Sequence, residues 1–509
     1  MENVSKKSFS MLTDRPGKAL LLFAFPLILG NLFQQFYNIM DSVVVGKFVS
    51  ENALASVGAS YAVTNVFIAV AIGGGMGSSV IISQFLGAGR LTKMKTAVST
   101  TLISFLVISA ALGAFGLAFN DRILSLMNVP DNIFADAALY LRIYFWGLPF
   151  LFMYNVQASV FNSLGDSRTP LKLLIFSSLL NIVLDLLFVI EFHMAVRGVA
   201  VATLIAQGLS AALSFLILMR KLRGYRQDEE DFRFYDREMA ASMTRVALPS
   251  ILQQSIVQLG ILLVQSVVNT FGSSVIAGYS AGTRIESISI VPMLAIGNAM
   301  STFTAQNMGA GNQKRVKEGY RVCYFALAGF AVVLCVLTQL FGSLFISAFL
   351  DAEASAEAFS VGMAYAGFLS FFYIFIGLKA TTDGLLRGAG DMKVFTAANL
   401  ANLAIRVFVA NYFAPRYGVQ FVWYAVPLGW AANYLISFVW YLTGHWSRIR
   451  LVEKKGEGKR CARKNFLVPL EVTENGCARE NFLVPFKVTE NFSWRIGGWY
   501  RRSFGLLCK

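Results

Sequence analysis

The sequence predicts an all-α polytopic membrane protein with twelve transmembrane helices, built as two similar halves. The composition is 56% hydrophobic and only 14% charged, with a mean hydropathy of +0.58, whereas a soluble domain has about 25% charged residues. Long apolar stretches recur along the chain, and the second half repeats motifs of the first. These three observations together carry the prediction.

The apolar stretches are each about 20 residues or longer, which is enough to cross the hydrocarbon core as a helix. In lipid, only helices and closed barrels satisfy every backbone hydrogen bond, and these runs are too long for barrel strands. We therefore expect a transmembrane helix in each stretch. The stretches lie near residues 18–44, 53–82, 94–119, 134–159, 168–190, 196–219, 245–270, 274–305, 318–349, 357–386, 394–413 and 418–444.

Basic residues follow the even-numbered stretches, whereas the alternate loops are poor in cations and often acidic. Loops rich in Lys and Arg stay in the cytoplasm. We therefore expect a multi-pass protein of the plasma membrane with both termini in the cytoplasm. The basic residues after the second and eighth stretches are Arg90, Lys93, Lys95, Lys314, Arg315 and Lys317.

Two motifs occur once in each half of the chain. Gln84-x-x-Gly87-Ala88-Gly89 returns as Gln306-x-x-Gly309-Ala310-Gly311, a shift of 222 positions. Leu164-Gly165-Asp166 returns as Ala389-Gly390-Asp391. A chain built of two similar apolar halves is typical of a transporter whose substrate path lies between the halves.

The repeat divides the chain into five parts. These are a cytoplasmic N-terminus (1–17), an N-lobe of helices 1–6 (18–219), a cytoplasmic linker (220–244), a C-lobe of helices 7–12 (245–445) and a basic tail (446–509). The tail contains two copies of one short segment, sixteen residues apart, and we expect it to be a disordered cytoplasmic extension.

The net charge of +15 does not indicate nucleic-acid binding, because the tail alone contributes +8 and the remainder matches the cytoplasmic loop bias. Contact between the tail and anionic membrane lipid is the alternative to a solvated tail. No C-x-x-C motif or histidine cluster points to a metal site. We expect no cofactor and a monomer.

Two acids in the N-terminal half lie inside predicted membrane helices. Asp41 follows Tyr37 by one helical turn, and Asp185 follows Asn181 by one turn. An acid deep in an apolar helix is costly and usually functional. Such a pair can take up H⁺ or bind Na⁺. The alternative is an acid near the membrane interface, or one that makes a structural hydrogen bond.

Three charged residues are spaced by four in the tenth stretch: Lys379, Asp383 and Arg387. One interpretation is a self-neutralising ladder at the cytoplasmic end. The other is that Asp383 binds a second ion or part of the substrate.

Prolines occur early in both lobes, at Pro26 and Pro249. Each removes a helix hydrogen bond, so a kink is expected. Pro26 lies on the same predicted helix as Asp41 and could act as a hinge, whereas a static packing kink is the alternative.

These motifs together resemble the MATE (multidrug and toxic compound extrusion) family, and most closely its DinF-like bacterial branch. Tyr37-Asn38-x-x-Asp41, the paired Gln-x-x-Gly-Ala-Gly and Leu386-Arg387-Gly-Ala-Gly-Asp391 carry the resemblance, which covers residues 10–445. It implies two pseudo-symmetric six-helix lobes around a central cavity that opens alternately. It also implies export of drugs, organic cations among them, driven by inward H⁺ or Na⁺.

The resemblance further implies a cation site in the N-lobe. Its residues would be Asp41, Asn181, Asp185 and Thr203, with Na⁺ as the one metal ion it could hold. Relatives with carboxylates in the C-lobe keep a glutamate in helix 7, where this chain has Gln253 and Gln254. This departure from the family pattern argues against a C-lobe cation site. Gln253, Gln254 and Asp383 are kept as the candidates for a C-lobe substrate or ion site.

Two other functions compete with drug export. A lipid-linked oligosaccharide flippase of the same superfamily would need many cations lining the cavity for a pyrophosphate, and this chain has few. An intramembrane aspartyl protease would use Gly388-x-Gly390-Asp391, but that chemistry needs a second aspartate within reach. The repeated Gly165-Asp166 favours a helix-capping turn instead.

Overall fold

The computed structural model describes residues 10–225, 230–350 and 355–452, apart from the side chains of residues 10, 39, 41–43, 51 and 62. The long elements of these residues are all α-helices. They are α1 (Pro16–Phe48), α2 (Glu51–Gly87), α3 (Leu91–Leu126), α4 (Asp131–Ser163), α5 (Arg168–Leu186), α6 (Ala195–Arg223), α7 (Arg237–Val268), α8 (Ser273–Gly309), α9 (Gln313–Ser347), α10 (Ala356–Ser370), α11 (Tyr373–Ala389), α12 (Met392–Tyr417) and α13 (Gln420–Thr443).

The predicted number of membrane spans is confirmed for the described residues, with one difference in form. Eleven helices are long and apolar enough to cross a membrane, and the bent pair of α10 and α11 makes a twelfth span. The sequence predicted a single helix over 357–386, but the chain breaks after Ser370 and turns by 52°. No Gly or Pro lies at the break, so the apolar pattern alone did not reveal it.

Most helices are longer than the apolar stretches that predicted them, although α5 and α13 are shorter. α2, for example, continues to Gly87, five residues beyond its predicted end. Helical hydrogen bonding does not require an apolar sequence, so a helix continues after it leaves the hydrocarbon. For the same reason α6 and α7 extend into the predicted linker 220–244 and leave only residues 224–236 between them.

Helix packing repeats between the two halves. Within the first half, α2 packs against α4, and α5 packs against α6; in the second half, α8 packs against α11, and α12 against α13. Across the halves, α1 packs against α8, and α7 packs against α2. The two lobes predicted from the sequence motifs therefore interlock through their first helices.

The repeated Gln-x-x-Gly-Ala-Gly segments meet at one end of the molecule, and we call this contact the interlobe seal. A Cβ atom on Gly87 would lie 1.9 Å from the Gln306 carbonyl oxygen, and one on Gly309 would lie 2.0 Å from the Gln84 carbonyl oxygen. Only glycine allows backbones to approach this closely. The two lobes are thus in direct backbone contact here.

Side chains of the seal tie each lobe to the other. Gln84 Nε2 donates to the Gly388 carbonyl at 3.1 Å, and Gln306 Nε2 donates to the Ser163 carbonyl at 2.9 Å. Both glutamines are almost fully buried. Each motif glutamine therefore caps the end of a helix in the opposite lobe.

The chain that precedes each lobe also binds the opposite lobe. Before α1, the Met11 carbonyl accepts bonds from Asn307 Nδ2 and from the Arg315 guanidinium. Before α7, the backbone N–H of Asp236 donates to Thr100 Oγ1 at 3.1 Å. These crossed segments add to the contact on the side of the seal.

The first residues of the predicted tail are ordered against the C-lobe. Trp446 is fully buried, and the side chain of Leu451 packs against Gly390. The prediction of a disordered tail from residue 446 is therefore wrong for 446–452. The rest of the tail, including its tandem repeat, lies outside the described residues.

Candidate functional site

The N-lobe candidates lie on three helices that pack together. Asn181 and Asp185 are one turn apart on α5, and both face inward, with 2% and 1% of their surface exposed. α5 packs against α1 and α6, which carry Tyr37 and Thr203. The i, i+4 spacing thus places the amide and the carboxylate on the buried face of α5.

The Asn181 amide joins the three helices. In the orientation that gives each amide atom a suitable partner, its nitrogen donates to Asp185 Oδ2 at 3.1 Å and to the Tyr37 hydroxyl oxygen at 2.8 Å. Its oxygen accepts from the Thr203 backbone N–H at 3.2 Å. The same amide lies 3.4 Å from Thr203 Oγ1. Three other residues predicted from the sequence, Tyr37, Asp185 and Thr203, therefore meet at the Asn181 amide.

A cavity of about 110 Å³ opens beside this cluster. Tyr37, Asn181 and Thr203 line it, together with further polar side chains from α1, α4, α5 and α6. These further residues are Gln34, Tyr154, Asn155, Ser177, Ser178 and Gln207. The polar wall offers hydrogen-bonding partners to water and oxygen ligands to a cation beside Asn181.

A local distortion of α5 follows Asp185 directly and was not predicted from the sequence. Leu187–Glu191 form a π-helical turn, and π turns are frequent at functional sites. His193 and Ala195 then adopt positive φ values of 50° and 47°, which non-glycine residues rarely do. The apolar sequence over this turn carries no Gly or Pro that would have signalled it.

Asp41 lies on α1, but its side chain is outside the described residues. On the helix it follows Tyr37 by four residues, a rise of about 6 Å. Tyr37 contacts Asn181, so the backbone brings Asp41 to the same region of the N-lobe. Pro26 lies inside α1, which continues as one helix through it.

In the C-lobe, Asp383 is part of a buried ion pair. Lys379 Nζ lies 2.9 Å from Asp383 Oδ2, and both side chains are 9% exposed. The same carboxylate accepts from Asn399 Nδ2 at 3.3 Å and from Ser437 Oγ at 3.2 Å. Asp383 therefore connects α11 to α12 and α13.

Arg387, the third charge of the predicted ladder, makes its hydrogen bonds to another helix. Its Nε donates to Ser301 Oγ at 3.1 Å, and its Nη2 donates to Asn298 Oδ1 at 2.8 Å, both on α8. Only 7% of Arg387 is exposed. Lys379 and Asp383 thus form the self-neutralising pair that the spacing predicted, and Arg387 interacts with Asp383 electrostatically while its hydrogen bonds go to α8.

Gln253 and Gln254 are half-buried on α7. The Gln253 Oε1 atom is buried and makes no hydrogen bond within the described ranges. No hydrogen bond recorded in those ranges joins either glutamine to Asp383. The hydrogen-bond partners of Asp383 are instead Lys379, Asn399 and Ser437.

A second C-lobe acid forms a short contact. The Tyr365 hydroxyl donates to Glu286 Oε2 at 2.5 Å, and Glu286 is 8% exposed. The Arg406 guanidinium interacts electrostatically with this carboxylate and bonds to the Tyr279 hydroxyl. Glu286 thus also has a basic partner within its own lobe.

Both Gly-Asp motifs are helix-capping turns, as their repetition suggested. Gly165 and Gly390 have φ values of 77° and 87°. Asp391 accepts from Trp440 Nε1 at 2.7 Å, and Asp166 accepts from the Thr169 N–H at 3.1 Å and from Lys221 Nζ at 2.6 Å. Asp391 is therefore a structural residue rather than half of a protease dyad.

The turn that contains Asp166 lies between the candidate membrane spans, outside both of them. Burial alone would raise the pKa of the carboxyl. The charge and hydrogen bond of Lys221, with the bonds from Thr169, outweigh burial and hold the pKa below its ordinary value of 3.8. The carboxylate therefore stays charged at neutral pH and anchors the end of α6.

Comparison with known proteins supports the duplicated architecture. The family model MatE matches residues 26–187 and 249–413, one match in each half. The distance along the chain between the starts of the two matches is close to the shift of 222 positions between the repeated motifs. The resemblance to this family is therefore confirmed.

Individual proteins agree with the family match. The chain is 30% identical over 451 residues to the "Probable multidrug resistance protein YpnP" of Bacillus subtilis, and the match covers 88% of this chain and all of that protein.

Two solved structures share the fold. One is a MOP superfamily transporter from Pyrococcus furiosus, with TM-score 0.79, 24% identity, and 87% of this chain and 98% of that chain covered. The other is an outward-facing multidrug resistance MATE family transporter, with TM-score 0.80, 23% identity, and coverage of 87% and 99%. The chain belongs to the MatE family and is a multi-pass membrane transporter of small molecules, not an enzyme.

Proposed function

We propose that this protein is a cation-coupled antiporter that exports amphipathic or cationic compounds, drugs among them, across the cell membrane. The observation that carries the proposal is the Asn181 amide, which links α1, α5 and α6 around the buried carboxylate of Asp185. The name of the Bacillus subtilis relative supports the substrate class. One chain contains both lobes, so a monomer suffices.

The coupling ion is H⁺ or Na⁺. A charged carboxylate buried in an apolar lobe is costly, and either ion removes that cost, by protonation or by charge balance. The oxygens of Asp185, Asn181 and Thr203 form a hard donor set suited to Na⁺, and Asp41 is the proposed second acid. The polar cavity beside Asn181 gives the ion its approach.

Coupling to conformation would run through α1. An ion on Asp185 competes with the bond from Asn181, and Asn181 also holds the Tyr37 hydroxyl on α1. Ion binding therefore alters the link between α5 and α1, which gives the ion a different affinity for two arrangements of α1. Pro26 is the proposed hinge. Rigid rocking of both lobes is the alternative.

Alternating access is supported by the interlobe seal. The positive-inside rule assigns the ends of α2 and α8 to the cytoplasm, where Arg90, Lys93 and Lys314 lie near the seal. The termini are then cytoplasmic as well. Contact between the lobes on that side favours an outward-facing state, from which substrate leaves and the ion enters.

The test is efflux from everted vesicles under an imposed pH gradient or an imposed Na⁺ gradient. Wild-type transport under one gradient identifies the ion. Asp185→Asn and Asp41→Asn should each abolish gradient-driven efflux while the protein still inserts. Asp121→Asn is the matched control, because Asp121 is 58% exposed and paired with Arg142. Normal efflux by both N-lobe variants would refute the proposal.

The supporting residues give a graded version of this test. A hydrogen bond to a charged group contributes about 1.5–3 kcal/mol, so Asn181→Ala should reduce coupled efflux by about 10- to 150-fold. Thr203→Val, which removes the neutral hydroxyl, should have a smaller effect. Equal efflux by wild type and Asn181→Ala at matched expression would show that the amide does not take part in coupling.

The contacts of the C-lobe cations argue against the flippase alternative. Lys379 is bound to Asp383, and Arg387 to Ser301 and Asn298. Recognition of a pyrophosphate needs cations free to form new charge-assisted bonds. Because Lys379 and Arg387 already have partners in the protein, their contacts do not favour a cavity lined by free cations.

A further inference from the structure

The buried pair of Lys379 and Asp383 lies on α11, the second half of the bent candidate span. Lys379 is ten residues before the end of α11 at Ala389, a distance of about 15 Å along the helix. An unbalanced charge inside a membrane span is costly, and the pairing of Lys379 with Asp383 removes that cost.

The surroundings of Asp383 are otherwise those of a cation site. Ser437 Oγ lies 3.2 Å from Asp383 Oδ1, and Ser437 also reaches Asn433 Oδ1 at 3.5 Å. Asn433 is fully buried, and its Nδ2 has no hydrogen-bond partner within the described ranges. The Asp383 carboxylate, the Ser437 hydroxyl and the Asn433 amide thus lie together in the buried part of the C-lobe. The Lys379 ammonium binds the carboxylate directly, and the Arg387 guanidinium also interacts with it electrostatically.

We propose that Lys379 is a tethered counter-cation that permanently neutralises Asp383 and so keeps exchangeable ions out of the C-lobe. Removing its charge would convert the oxygens of Asp383, Ser437 and Asn433 into a site for a monovalent cation. The inference rests on the proposed function, because it explains why coupling is confined to the N-lobe. Lys379 acts through Asp383 and is a positioning residue.

The geometry explains why a lysine suits this role. Lys379 is one turn before Asp383 on the same helix, so its ammonium reaches the carboxylate without movement of any other element. A free ion would leave when the lobe becomes hydrated, whereas the tethered ammonium stays. Asn399 and Ser437 then remain bound to the carboxylate through the transport cycle, and α11, α12 and α13 move as one body.

The test measures the thermal unfolding of detergent-purified protein in NaCl and in choline chloride of equal ionic strength at pH 8. All variants carry Asp185→Asn, so that the proposed N-lobe site does not respond. In this background, Lys379→Met should unfold at a lower temperature in choline chloride. Addition of NaCl should raise its midpoint by about 2–4 °C or more, because the ion binds only the folded state.

Further variants assign this response to Asp383. Lys379→Met combined with Asp383→Asn should lose the response to NaCl, since no carboxylate remains. Lys379→Arg should behave like the parent, since the charge is kept. Lys221→Met is the matched control: it removes a lysine from Asp166 at the more exposed membrane edge, and it should gain no such response.

Several results would overturn the proposal. One is a Lys379→Met protein that responds to NaCl no more than its parent. Another is an undiminished response after Asp383→Asn is added. If Lys379→Met does not assemble, Lys379→Gln keeps a hydrogen-bond donor and removes only the charge, and the same response is required of it. The proposed function is judged separately, by the efflux of Asp185→Asn alone.

Discussion

Gly87→Ala tests whether the interlobe seal holds the lobes together in this state. The added Cβ would lie 1.9 Å from the Gln306 carbonyl oxygen, whereas ordinary contacts of this kind begin at 3.4 Å. The ends of α2 and α8 must therefore separate by about 1.5 Å. Both neighbours are backbone, so no side-chain rotation can relieve the clash.

The size of the effect follows from the cost of overpacking. Inserting a methyl group into a tight contact costs about 1–3 kcal/mol. If this cost falls only on the state with a closed seal, the equilibrium between closed and open seals shifts by about 5- to 150-fold. Gly309→Ala should act similarly, because its Cβ would lie 2.0 Å from the Gln84 carbonyl oxygen.

The assay is the distance between spin labels on Lys93 of α3 and Lys314 of α9, in protein freed of native cysteines. We expect one short distance for the parent and an added longer population for Gly87→Ala. Gly58→Ala is the matched control, since Gly58 lies in the same helix with no atom within 4 Å of an added Cβ. An unchanged distribution in Gly87→Ala, or an equal change in Gly58→Ala, would refute the reasoning.

Three further predictions concern the edges of the lobes. Lys221→Met should lower the free energy of unfolding by about 1 kcal/mol at neutral pH. Because the pKa of Asp166 is lowered in the folded state, this difference should persist above pH 3.8 and fade as the pH drops further; a difference independent of pH would contradict it. Deletion of 453–509 should leave efflux unchanged, and a protein that inserts but does not transport would disprove this. Trp446→Ala should destabilise the fold by about 3–5 kcal/mol, because the indole is fully buried; unfolding at the parental temperature would argue against that role.

Much of the fold is a local property of the sequence. Partition into the bilayer depends on the apolar content of each stretch, so the twelve spans could be counted without knowledge of their packing. The repeated motifs indicated the family, and the two intramembrane acids indicated the N-lobe site. Both are visible in the sequence without knowledge of the packing. Asn181 and Asp185 share a face because of helical spacing alone.

Tertiary packing decided which side chains on different helices became hydrogen-bond partners. Gln84 bonds to Gly388, 304 residues away, and Asn181 reaches Tyr37 on α1 only because α1 and α5 pack together. Arg387 has the spacing of a ladder but bonds to α8 instead. Spacing fixes which residues share a helix face, but it does not fix which other helix that face meets.

The bend between α10 and α11 and the π turn after Asp185 also depended on tertiary structure. Both interrupt sequences that are apolar and free of Gly and Pro at the break. In a membrane, an apolar sequence favours any helix that satisfies its backbone, so hydropathy is the same for a straight and a broken span. The sequence alone therefore determined how many times the chain crosses the bilayer, and the contacts between helices decided where a helix bends and which charges it keeps paired.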